Sequence, residues 1–207
     1  MVYKIVQLSN FYKSALLTCA LTASGLAHTA ESSNSLPYID KRIKVDGLLD
    51  EPHWQQVKRI EIDNITWPQE NLPAPVDGYV LVYENADTLY MAFVANDQQP
   101  EQIRAFYRDR DSAWDDDLVG VKIDTYGSSK LAYQFFVNPL GVQHDAIENE
   151  INKTESGAWD GIWDSAGRIT ASGCQVEIAL PMRMFNFDDT AGLKNMQMEF
   201  VRFYPRS

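Results

Sequence analysis

The chain has 207 residues, 45% of them hydrophobic and 23% charged, which suits one globular domain with an ordinary core and leaves little room for a second. Twenty-nine acidic residues against 18 basic ones give a net charge of −11, the wrong sign for a nucleic-acid binder. Of the two cysteines only Cys174 lies beyond the N-terminal leader, so no intramolecular disulfide is expected in the folded part.

Residues 1–27 carry Lys4 and Lys13, no acid, and then the apolar run SALLTCALTASGLA, ending in Gly25-Leu26-Ala27, a small-x-small pattern. This predicts a secretory signal peptide, since a stable membrane span needs about 20 apolar residues. Residues 28–36, with ESSNS at 31–35, read as a flexible leader, and the folded domain is expected over 37–207. Such a chain would be exported to the periplasm or beyond.

Asp46-Gly47 predicts a tight turn, after which Asp50 can cap a short helix through EPHWQQV, with Pro52 early and Trp54 and Val57 facing the core. Apolar runs then recur at 79–83, 88–95, 118–124, 131–137, 175–180 and 196–204, rich in β-branched and aromatic residues and bounded by turn residues. Val119, Val121 and Ile123 alternate with Lys122 and Asp124, and Val176, Ile178 and Leu180 with Gln175 and Glu177, so one face of each strand is buried. Glu84-Asn85-Ala86-Asp87 predicts a hairpin turn, DTYGSS at 124–129 a connector, and Asn138-Pro139 with Gly141 a turn leading into another strand. PMRMF at 181–185 predicts one helical turn. The whole reads as all-β, an antiparallel sandwich with little helix.

Taken in order, KVDGLLDEPHW, TLYMAFVANDQQPEQIRAFYRDRD, DDDLVGVKIDT, YQFFVNPLGVQHDA, WDGIWDSAG and VEIALPMRMF resemble the family 9 carbohydrate-binding-module-like domain, from about Ile43 to Arg202. The similarity is greatest to the subset found at the front of large bacterial outer-membrane proteins. It implies a jelly-roll-like sandwich of two antiparallel sheets, export, a polysaccharide or oligosaccharide ligand and, in longer relatives, a neighbouring outer-membrane barrel. Two departures stand out: Cys174 takes the place of an aromatic before the VEI strand, and the sequence stops at Ser207 where the barrel follows in that subset. Both a free-standing module and a shortened relative fit this pattern.

A sugar site needs an exposed aromatic plate beside planar polar groups. Trp114, Trp159 and Trp163 stand among Asp and Gly in expected loops and are the candidate platforms, with Tyr107 and Arg108 beside the first; Trp67 precedes a proline in a polar connector. The bland alternative is that WDGIW folds a loop onto the sandwich edge. The stretch RDRDSAWDDD at 108–117 concentrates carboxylates, and calcium, which takes six to eight oxygen ligands, is the metal that Asp115, Asp116 and Asp117 would hold. The resemblance also allows structural calcium. The competing reading is that Asp116 and Asp117 begin a strand while accepting amides of the preceding loop, with Arg108 and Arg110 offsetting charge. A glycosidase would need two facing carboxylates, such as Asp115 with Glu148 or Asp160 with Asp164, and no spacing selects either pair; the resemblance implies a module that binds rather than cleaves. His28, His53 and His144 stand alone, without metal-ligand spacing.

Overall fold

The structure is a computed structural model that describes residues 2–12, 34–187 and 195–206, the first of these as backbone. Fourteen strands are described: β1 (Val2–Tyr12), β2 (Asn34–Ser35), β3 (Ile60–Glu61), β4 (Asn64–Trp67), β5 (Leu72–Pro73), β6 (Gly78–Glu84), β7 (Thr88–Asn96), β8 (Leu118–Asp124), β9 (Leu131–Val137), β10 (Gln143–Asn149), β11 (Thr154–Ser156), β12 (Asp164–Thr170), β13 (Gly173–Pro181) and β14 (Asn195–Pro205). They form two sheets, a larger one in the order β11-β10-β9-β8-β14-β1-β4-β5 with β2 beside β1, and a smaller one in the order β12-β13-β7-β6-β3. Pairing between strands is antiparallel apart from β1 with β2. The chain crosses between sheets after β2, β3, β5, β7, β11 and β13, which is what packs the two into a sandwich.

The alternation read from the sequence is the alternation found. Val119, Val121, Ile123, Phe135, Val137, Met198 and Phe200 of the larger sheet meet Val80, Val82, Met91, Phe93, Val176, Ile178 and Leu180 of the smaller one in a single buried cluster. Each large side chain here contributes roughly 1.5–3 kcal/mol by leaving water. Cys174 lies in this core, paired across the ladder with Ala95, so the residue in the aromatic's place points inward.

A second cluster covers the outer face of the smaller sheet. Leu81, Tyr83, Tyr90, Ala92 and Ala179 pack under Trp54 and Val57 of the segment that precedes β3. That segment holds a 3₁₀ turn, Pro52–Gln56, with Glu51 at its N-terminal cap and no side-chain cap bond, so Asp50 does not cap it. Five residues with a proline at the start are too few to nucleate an α-helix, and the tighter turn suffices to seat Trp54. Beneath it the buried Glu177 carboxylate accepts the backbone N–H groups of Asp46 and Gly47 at 3.0 and 2.9 Å. Gly47 has φ +79°, as the expected tight turn requires.

The other expected turns are present. Asn85 Oδ1 accepts the N–H groups of Asp87 and Thr88 in the β6–β7 hairpin, and Gly141 has φ +88° after Asn138-Pro139. The expected signal peptide, residues 1–27, falls across β1 and across residues outside those described. β1 pairs with β14 from Val2 opposite Pro205 to Tyr12 opposite Asn195, and with β4 on its other side.

Candidate functional site

The connection from β7 to β8 carries the aspartate-rich stretch across one end of the sandwich. Asp116 Oδ2 accepts the Phe106 N–H at 3.1 Å, and Asp117 Oδ2 accepts the Arg104 N–H at 2.8 Å. Asn138 reaches in from the β9–β10 turn, donating from Nδ2 to the Phe106 carbonyl and to Asp116 Oδ2, both at 2.9 Å. Arg206, just past β14, donates to the Gln102 carbonyl at 2.6 Å, to Asp117 at 3.1 Å and to Asp97. These carboxylates serve the plain role of fastening a loop to the start of a strand.

Calcium at Asp115, Asp116 and Asp117 does not fit this geometry. Asp115 is exposed, Asp116 faces Arg108 through its second oxygen at 3.6 Å, and Asp117 is claimed by Arg104 and Arg206, so the three carboxylates serve different partners. Burial pushes the Asp117 carboxyl up from its ordinary range, against its hydrogen bond from the Arg104 N–H and the charges of Arg206 and Arg202. A different trio, Asp111, Asp145 and Asp160, brings one oxygen each to within 4.8 Å of the others. Arg110 Nε lies 3.2 Å from Asp145, 3.8 Å from Asp160 and 3.9 Å from Asp111, so a guanidinium supplies the positive charge among them.

The two tryptophans of WDGIW fold onto this buried acid. Trp163 is only 5% exposed; its indole N–H donates to Asp145 Oδ2 at 3.0 Å and its ring meets Phe135 edge-on, leaving no open face for a ligand. Trp159 is half-buried against Tyr133 and Phe135. Gly161 between them donates to Asp145 at 2.7 Å, and a Cβ there would come within 2.9 Å of Trp159 and 3.1 Å of Trp163. The expectation that both would stand out as platforms is corrected: a buried carboxylate needing donors draws the motif inward.

Trp114 is different. It is 45% exposed and lies on the outer face of the larger sheet, over a small apolar patch of Phe136, Val201 and Phe203. Ring centroids are 5.7 Å to Phe136 and 6.5 Å to Phe203, both edge-on, and 4.6 Å to His144. Phe136 can lie against the sheet because its partner across the ladder is Gly120. Tyr107 on the same loop is 83% exposed, and Arg108 sits with its guanidinium 5.2 Å from the Phe106 ring.

Two residues further along each strand, roughly 7 Å away, Gln134 of β9, Lys122 of β8 and Glu199 of β14 form a polar row across the same face. Lys122 pairs with Glu148, whose Oε2 also accepts from Gln134 Nε2 at 2.6 Å. Beyond it a cleft of about 380 Å³ is lined by Lys122, Asp124, Ser129, Leu131, Gln197 and Glu199. Gln134, Lys122 and Glu199 belong to no candidate site motif in the sequence, although the alternation already set Lys122 and Asp124 opposite the core residues. The hydrolase pairs fare worse: Glu148 is held by Lys122 and Gln134, and Asp160 faces Arg110.

No family model matches the chain, and no curated protein sequence matches it. Solved structures do. The chain superposes on a Bacteroides uniformis protein assigned as carbohydrate-binding with a TM-score of 0.56 at 12% identity, covering 83% of this chain and 88% of that one. A family 9 carbohydrate-binding module from Caldicellulosiruptor kristjanssonii in complex with glucose gives a TM-score of 0.49 at 10% identity, over 79% of this chain and 83% of the module. At this identity the likeness to the Bacteroides protein is one of fold, and the antiparallel β-sandwich read from the sequence is the fold found.

Proposed function

We propose that the chain is an exported, non-catalytic carbohydrate-binding module that holds a glycan on the outer face of its larger sheet. Trp114 is the plate on which a sugar ring lies, Tyr107 and Arg108 flank it on the loop, and the row of Gln134, Lys122, Glu148 and Glu199 meets the hydroxyls. One observation carries this reading: a half-exposed indole held on an apolar patch, with planar and charged groups in the adjoining row of the same face. The fold shared with a protein assigned as carbohydrate-binding supports it, and the leader-like pattern of residues 1–27 supports export.

A glycan array probed with residues 28–207 tests it, with the full chain alongside because removing the leader takes β1 out of the sheet. Binding by wild type and its loss in Trp114→Ala is the expected result. Silence of both chains across the array overturns the function, and binding that survives Trp114→Ala moves the site elsewhere.

A further inference from the structure

His144 is fully buried on the outer face of the larger sheet, directly across the ladder from Phe136. Its Nε2 accepts the backbone N–H of Ala113 at 3.1 Å, and its ring lies under the indole of the next residue, Trp114. An accepting Nε2 places the proton of the neutral imidazole on Nδ1, which is buried without a partner among the described residues, so the Ala113 contact is what selects the ring state. Ala113 is itself fully buried, and its N–H has no solvent to turn to.

We propose that His144 is the positioning residue of the Trp114 platform, and that protonation of its imidazole releases the indole from the sheet. This rests on the reading of Trp114 as the glycan plate and adds its control. A proton on Nε2 points a second donor at the Ala113 N–H, and two buried donors at that distance cannot both be satisfied. The peptide that must yield is the one leading into Trp114.

The charged groups around His144 act in both directions. Asp111 and Asp116 of the loop and Asp145 of its own strand favour the imidazolium, while Arg110 opposes it; Phe136 and Phe203 bring no charge. Burial is the largest influence and holds the imidazole below its ordinary 6.5. The neutral, accepting ring therefore prevails at neutral pH and is lost on acidification.

The full chain and His144→Gln, whose side-chain carbonyl can still accept from Ala113, would be compared between about pH 8 and about pH 5, a range that spans histidine titration. Iodide quenching reads Trp114, with Trp114→Phe giving the background of the other tryptophans. The Trp114 component should become about twofold more quenchable in acid for wild type and stay flat for His144→Gln, since a glutamine carbonyl accepts from Ala113 at every pH in this range while an imidazole does not. The glycan array repeated at both pH values should lose signal in acid for wild type and hold it for His144→Gln, as expected if acid depletes the bound platform. A flat wild-type quenching profile, or the same profile in His144→Gln, overturns the proposal. Imidazole ¹H–¹⁵N spectra of wild type decide it without any variant: a protonated Nε2 at the higher pH overturns it as well. Quenching needs no sugar, so a silent array would remove the proposed function and leave this result standing on its own.

Discussion

Gly120 lies directly opposite Phe136, and a Cβ at that position would meet the Phe136 ring at 2.4 Å and the Phe135 carbonyl oxygen at 2.2 Å. Gly120→Ala must therefore lift the Phe136 ring and push the β8 and β9 backbones apart. A loss of roughly 1–3 kcal/mol in urea unfolding is expected from overpacking of this kind. The near-ultraviolet dichroism should change too, because Trp114 rests on Phe136. Unchanged stability would mean that the strands can separate without cost.

Arg110→Met leaves Asp145 buried among Asp111 and Asp160 with no guanidinium. Removing one partner of a buried ion pair costs about 3–5 kcal/mol, and the Gly161 and Trp163 N–H groups that still donate to Asp145 place the loss toward the lower end. Urea melts should show a loss of that size, with part of it regained in the double variant that adds Asp145→Asn. Additive losses in the double variant would contradict the coupling.

Burial pushes the Glu177 carboxyl up to about 7 from its ordinary 4.5, against two amide donors that pull it down. A carboxyl raised on folding binds its proton more tightly in the folded chain. Its contribution is neutral below about pH 4.5, turns destabilising as pH rises through the window, and levels off above about pH 7. Glu177→Gln keeps an acceptor for the Asp46 and Gly47 amides without the charge. It should match wild type in acid and exceed it by roughly 3 kcal/mol at about pH 8. Thermal melts of both proteins across this range check the sign; a gap that widens in acid would reverse it.

Chelation should leave the melting temperature unchanged, because Asp115, Asp116 and Asp117 serve amides, arginines and solvent rather than one ion. A cation that bound only the folded chain would raise its apparent stability and be lost on adding chelator. A clear downward shift would restore calcium to the fold.

The strands of the core were legible because their alternation is local: Val119, Val121 and Ile123, or Val176, Ile178 and Leu180, declare their face within a few residues. The dual use of Asp116 and Asp117 was legible for the same reason, since the loop they fasten immediately precedes them. The fates of Trp159 and Trp163 were not. They depend on Asp145 and Arg110, which are distant in sequence and meet WDGIW only once the β7–β8 connection crosses the end of the sandwich. Gly120 was equally silent, since a glycine in an apolar strand gains meaning only from the ring opposite it.

The clamps on the β7–β8 connection have a thermodynamic consequence. Arg206 ties Gln102, Asp97 and Asp117 to the end of β14, and Asn138 ties Phe106 and Asp116 to the β9–β10 turn, so the loop bearing Tyr107 and Trp114 is fixed at several points by the fold itself. Little backbone entropy is left for this loop to lose, so under the proposed function its ordering would add little to the cost of association.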